Sequence, residues 1–145
     1  MSLFTAISIS ASGMEAQRTR AEIITENLAN ADTTRTPDGG PYKRKDAVFS
    51  TSPAAISFAD AMASASSGTG QGVSVSDVIT DESDPERRYL PGHPDADAEG
   101  YVSFPKVNPA SEMVDLMGAS RGYEANVAAI SAAKDMIARS IDLFR

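Results

Sequence analysis

A chain of 145 residues with a formal net charge of -7 and 6% aromatic residues fits one compact domain, or a modest domain with extended arms. The acidic balance argues against nucleic-acid binding, which needs a basic face to displace counterions; the one basic cluster, Lys43-Arg44-Lys45, reads as a solvated strand end. No apolar run approaches the roughly 18 residues of a membrane span, so no direct membrane insertion is expected, and the absence of cysteine removes disulfides and thiolate chemistry together.

The first stretch, "MSLFTAISISASGMEAQR", has no positive n-region, and serines break its apolar residues, so a cleaved secretory signal is not expected. Leu3, Ile7, Met14, Ala21, Ile24 and Leu28 fall on heptad spacing, interrupted at Ser10 and Gln17. This spacing predicts a helix from about Ser2 to Ala29, within an N-terminal arm of residues 1–32. Asn30 and Thr33 are expected to end it, Asn30 because it tolerates the left-handed region and Thr33 by holding the turn with its hydroxyl.

The middle, residues 33–107, has another character. Pro37-Asp38-Gly39-Gly40-Pro41 is a loop by composition. "YKRKDAVFST", "GVSVSDVITD" and "EGYVSFPKV" read as short strands, with a Ser/Gly-rich stretch around 64–72 between the first two. Ahead of the third strand lies "YLPGHPDADAEGY", which holds the single histidine. His93, Asp95 and Asp97 are the only metal candidates, and a metal-dependent hydrolase would have to use them. One histidine falls short of a facial triad, and "DADAEG" lacks calcium-loop spacing. Pro91-Gly92 and His93-Pro94 mark consecutive turns, so a shaped loop whose acids bond the local backbone is the expected reading, with no metal and no cofactor. No P-loop, dinucleotide fingerprint, zinc-helix motif or nucleophile elbow is present, and no enzyme is expected.

The C-terminal arm, residues 108–145, is the most regular part. Asn108 is a good N-cap and Pro109 fits the first helical turn. Met113, Leu116, Tyr123, Val127, Ile130, Ile137, Ile141 and Phe144 follow a three–four alternation broken only at Ser120 and Lys134. A helix to about Leu143 would be roughly 50 Å long. Small residues, Gly118, Gly122, Ala125, Ala129, Ala132 and Ala133, form a second stripe suited to close helix approach. The fold class expected is α+β: two long helices packed as a coiled-coil-like pair, flanking a small β-rich middle. Such arms exceed what the middle can cover, so the seam and the stripe are expected to face different partners. Arg121 and Glu124 are placed either for an intrahelical pair or, with Asn126, for contacts between subunits.

Two segments also carry a family resemblance. "ENLANADTTRTPDGGPYKRK", with Asn27, Ala29, Asn30 and Thr33, resembles the Asn/Ala-rich signature of bacterial flagellar rod and hook axial proteins. "NPASEMVDLMGASRGYEANVAAISAAKDMI" resembles their closing helix, and "HPDADAEGYVSFPKVN" is similar to the proximal-rod branch, with Lys106 where that pattern would carry Asn. The resemblance implies a structural subunit that stacks with copies of itself and other rod proteins into the basal-body drive shaft. It also implies passage through the flagellar type III export apparatus, a place in the rod within the periplasmic space near the membrane ring, and arms that gain order on incorporation. Another axial protein of the same export system is the alternative within that resemblance.

Overall fold

The computed structural model describes residues 3–37, 39–52 and 71–142. Six elements follow one another: helix α1 (Leu3–Ala29), strands β1 (Lys45–Ser52), β2 (Gly72–Thr80), β3 (Glu86–Tyr89) and β4 (Tyr101–Phe104), and helix α2 (Pro109–Asp142). Strands β1 and β2 form one antiparallel ribbon, and β3 and β4 a second. This is the α+β arrangement expected, two long helices enclosing small sheets in the chain order. Phe144 and most of the Ser/Gly-rich stretch lie outside the described residues.

Helix α2 starts as its sequence dictates. Asn108 Oδ1 accepts from the backbone N–H of Ala110 at 3.0 Å and of Ser111 at 3.4 Å, satisfying donors that have no intrahelical partner. Helix α1 ends differently from expectation. No non-glycine among the described residues has a positive φ, so Asn30 does not stop the helix by turning left-handed. Its side chain does the work instead: Nδ2 donates to the Glu26 carbonyl at 2.9 Å, and Oδ1 accepts the Thr33 hydroxyl at 3.1 Å. The backbone N–H of Thr33 then closes a turn on the Asn30 carbonyl at 3.0 Å. Among the described residues left-handed backbone occurs only at Gly39, Gly40 and Gly100, and the first two, at φ 88° and 79°, let the chain double back between Thr36 and Pro41.

The helices pack antiparallel. Arg20 reaches Asp115 at 3.7 Å, Gln17 lies over Gly122, and Asn126 lies over Gly13. A Cβ at Gly13 would fall 2.8 Å from Asn126 Oδ1, so glycine is what permits that approach. Buried residues of α1 are Gly13, Ala16, Ile23, Ile24 and Asn27; those of α2 are Glu112, Ala119 and Ala133. The observed seam is thus rotated from the heptad expected. Leu116, Ile130 and Ile137 are half-buried, whereas Met113, Tyr123, Val127 and Ile141 are exposed. The cause lies in α1, which packs against α2 and also against β1 and β2. Its apolar residues therefore serve two faces: Leu3, Ile7, Met14 and Leu28 are half-buried and Ile24 is buried.

The β1–β2 ribbon lies along α1 and is tied to it near both ends. Ser12 Oγ accepts the Val73 N–H at 3.1 Å, and Asn27 engages Lys45. Register slips between Val48 and Phe49, leaving Ser76 as the extra residue, whose hydroxyl donates to the Val48 carbonyl at 3.2 Å. Strand β3, "ERRY", has no β-branched residue and gave no strand signal. It forms by diagonal pairing with aromatics of β4: Arg87 lies 5.0 Å from the Tyr101 ring and Arg88 4.7 Å from the Phe104 ring.

Candidate assembly surface

Among the described elements, α2 packs against α1 alone. Its opposite face carries Val114 at 63% exposure and Met117 and Met136 at 52%, with Gly118, Ala125 and Ala132 exposed along the same side. Among the described residues nothing lies within 4 Å of a Cβ built at Gly118, so their packing does not require that glycine. Of the small-residue stripe, Ala133 is buried and Gly122 is half-buried under Gln17; Gly118, Ala125, Ala129 and Ala132 stay open.

Charges divide along the same line. From α1 through β4, ion pairs are frequent: Arg18–Glu22, Lys43–Glu82, Lys45–Glu26 and Arg87–Asp97 are examples. On α2, Glu112 and Asp115 pair with residues outside the helix, but Arg121, Glu124, Lys134, Asp135 and Arg139 form no ion pair with another described residue. Arg121 and Glu124, three residues apart and both exposed, therefore do not form the intrahelical pair. Asn126 is engaged internally, its Nδ2 donating to the Gly122 carbonyl at 2.8 Å while its side chain covers Gly13.

Behind the base of α2 sits a buried polar junction. Asn27 is fully buried and Glu112 is 2% exposed. Asn27 Nδ2 donates to the Lys45 carbonyl at 2.8 Å and to Glu112 Oε2 at 3.2 Å. Asn27 Oδ1 accepts the Lys45 N–H and the Tyr42 hydroxyl, each at 2.9 Å. Both donors and both acceptor sites of the amide are thus used. Glu112 Oε1 in turn accepts from Arg44 Nε at 2.7 Å. Burial, helped by the carboxylates of Glu26 and Glu112, pushes the Tyr42 phenol up to about 12. The hydrogen bond to Glu112 raises Arg44 above its ordinary value. Sequence reading grouped Asn27 with Ala29, Asn30 and Thr33 at the helix end; Ala29 is exposed there, while Asn27 faces inward. Tyr42, Arg44 and Glu112 carried no local signal, because their partners lie 15 to 85 residues apart along the chain.

The loop from Leu90 to Gly100 is built from turns. His93 N–H donates to the Leu90 carbonyl, Ala96 N–H to the His93 carbonyl and Gly100 N–H to the Asp97 carbonyl, each at 3.0 Å. Gly100 adopts φ 81°, and a Cβ there would fall 2.9 Å from the Tyr89 ring. Asp97 Oδ1 accepts from the N–H groups of Tyr101 and Glu99, at 2.8 and 2.9 Å, which holds its carboxyl below the usual range. Asp95 accepts the Thr34 hydroxyl at 2.8 Å, docking the loop onto the segment after α1, while His93 Nδ1 accepts the Asp95 N–H at 3.1 Å. Pro94, Asp95, Ala96 and Asp97 line a surface hollow of about 380 Å³ together with Thr34 and Arg35. Among the described residues, no three His or acidic side chains converge as a metal site would require.

Comparison with known proteins bears on both ends of the chain. Residues 7–35 match the family model "Flagella basal body rod protein", and residues 98–143 match "Flagellar basal body rod FlgEFG protein C-terminal". The chain is 42% identical to the flagellar basal-body rod protein FlgC of Bacillus subtilis, covering 99% of each chain. It is 38% identical to that of Borreliella burgdorferi, over 100% of this chain and 99% of the relative. With the FlgC of Escherichia coli O6:H1 it shares 39% identity, over 99% and 98%. These relatives are rod proteins and give no support to a metal-dependent hydrolase built on His93, Asp95 and Asp97. The chain belongs to the FlgC family of flagellar basal-body rod proteins.

Proposed function

We propose that this chain is a structural, non-catalytic subunit of the flagellar basal-body rod, and that it joins its neighbours through the outer face of α2. The observation that carries the reading is a helix of 34 residues that the other described elements cover on one side only. Long amphipathic helices are not held in water by propensity; they need apolar surface to bury. In a heterologous, non-closing assembly that surface comes from the next subunit, another copy or a related rod protein. Gly118, Ala125 and Ala132 suit close approach of a neighbour's helix, and Arg121 and Glu124 are placed to pair across the contact.

The finer parts of the proposal rest on the family resemblance of the two arms and the loop between them. The two arms, 1–32 and 108–145, form an inner helical layer, and the middle, 33–107, forms the layer carried on it. The seat is the proximal rod, in the periplasmic space above the membrane ring. The subunit reaches it through the type III export apparatus. Torque passes through many weak helix contacts. The loop around His93, Pro94, Asp95 and Asp97 supplies shape and subunit contacts.

The test pairs two measurements on Met117→Asp and Ala132→Asp. Each purified variant should melt as the parent does, because the replaced side chain is exposed. Each should fail to enter rods, so that cells carrying it do not swim. Normal incorporation of both variants would refute the outer face of α2 as the assembly surface.

A further inference from the structure

We propose that Asn27 is a positioning residue that sets the tilt of the β1–β2 ribbon on the helix pair, acting as a polar hinge pin at one end of the ribbon. The reading starts from an unusual pairing. One side-chain amide takes both the N–H and the carbonyl of Lys45, at 2.9 and 2.8 Å, as a neighbouring strand's backbone would. Lys45 is the first residue of β1, so α1 extends the ladder by one rung at the edge of the ribbon. The residue before Asn27 holds the other end of the same lysine, since Lys45 Nζ pairs with Glu26 at 2.6 Å. Backbone and side chain of Lys45 are therefore both gripped by consecutive residues of α1.

The far end of the ribbon has a lighter attachment. There, among the described residues, a single hydrogen bond ties it to α1, from Val73 N–H to Ser12 Oγ. The remaining valences of Asn27 go to Tyr42 and to Glu112, so the pin also reaches α2. Three parts of the chain, α1, the ribbon and α2, meet on one amide. No other side chain of similar size can replace it. Alanine leaves the Lys45 N–H and carbonyl without partners, and aspartate has no donor for the Lys45 carbonyl or Glu112. Glutamine displaces the amide by one methylene from a fully buried site. In the rod, a fixed tilt keeps contacts made by the helices and by the ribbon in one register. That use rests on the assembly reading above, but the tilt itself is a property of the single chain and is tested there.

The chain has no cysteine, so paired spin labels can be placed cleanly. Labels at Ala128→Cys and Ile79→Cys report the near end of the ribbon, because Ile79 pairs with Asp46 beside the pin. Labels at Ala128→Cys and Thr51→Cys report the far end, where Thr51 pairs with Val73. In the parent both distance distributions should be narrow. Asn27→Ala should broaden the near-end distance and leave the far-end distance narrow. A near-end distance that stays narrow overturns the proposal. So does broadening of both distances together, which would make Asn27 a support of the fold and not of the tilt.

Asn27→Asp adds a readout that loss of packing alone would not move. The new carboxyl would be buried beside Glu112, with Arg44, Lys45, Tyr42 and Glu26 as the other titratable groups around the junction. Burial and the Glu112 charge raise its folded-state pKa above the unfolded value. A raised pKa means stabilisation that grows as pH falls through the folded value and is lost as pH rises. Between pH 7.5 and 5, Asn27→Asp should therefore regain a narrow near-end distance, and its folding equilibrium should improve relative to Asn27→Ala by up to about tenfold per pH unit, the effect of one proton. Parallel pH profiles for the two variants would contradict the pin. Because every measurement uses the isolated chain, failure here leaves the rod assignment standing, and failure to assemble leaves the pin standing.

Discussion

The two helices begin alike, as long serine- and alanine-rich segments with apolar residues at heptad spacing, yet the fold uses them in opposite ways. Helix α1 is enclosed, with α2 on one side and the β1–β2 ribbon on another. Its buried positions include two large aliphatic residues, Ile23 and Ile24, and a fully bonded amide. Among the described elements helix α2 packs against α1 alone, and it buries only two alanines and a glutamate. Its methionines and most of its charges are exposed among the described residues. The contrast teaches where each helix spends its binding capacity: α1 organises the subunit, and α2 is free to meet something outside it.

Substitution in the enclosed helix should have the largest effect on the isolated protein. Ile24→Asp places an unpaired charge at a site 4% exposed, and a loss of about 3–5 kcal/mol is expected in urea unfolding. If that variant unfolds no more readily than the parent, the enclosure of α1 is wrong. Glu112→Ala comes next. It leaves Arg44 with the 3.4 Å contact to Asp46 and strands one donor of Asn27 at the base of α2, and should cost about 1–3 kcal/mol in the same measurement. Loss of the N-cap in Asn108→Ala should cost about 1 kcal/mol, read as a lower melting temperature.

The smallest effect is a titration. Tyr42 contributes its full stabilisation below its unfolded value near 10, and that contribution is lost as pH rises through about 12. An ultraviolet titration should show one late-ionising tyrosine that disappears in Tyr42→Phe. Its persistence in the variant would move the buried phenol elsewhere and weaken the junction. Far-UV circular dichroism sharpens the comparison further. If the end of α2 waits for a neighbour, the free chain should show less helix than both elements imply and gain it on assembly, the deficit lying in the last turns beyond Ala133, the last residue that α2 buries. Fully formed, cooperatively melting helices in a verified monomer would mean that α2 needs no neighbour to fold.

Much of the fold was legible because its signals are local. Asn108-Pro109 marked the start of α2, and the β-branched residues of "GVSVSDVIT" marked β2. The aromatic and apolar residues of "YVSF" marked β4. What was missed depends on partners distant in sequence. Strand β3 looks like a charged turn until Tyr101 and Phe104 arrive to stack on Arg87 and Arg88. The seam of α2 was displaced because periodicity identifies an apolar stripe without saying which of two faces the subunit itself will cover. Leu116, Ile130 and Ile137 sit toward α1, while Val127 and Ile141, on the same predicted stripe, stay exposed. Asn27 illustrates the limit most clearly. Its type and position fitted a helix-end signature, but its four hydrogen bonds run to three other segments that no local pattern could assemble.

The most direct test of the account is an image of this chain within isolated basal bodies at side-chain detail. The account predicts density for the chain in the rod, with Val114, Met117, Ala125 and Ala132 of α2 packed against helices of neighbouring subunits. Density that leaves this face open to solvent, or a rod without the chain, would contradict it.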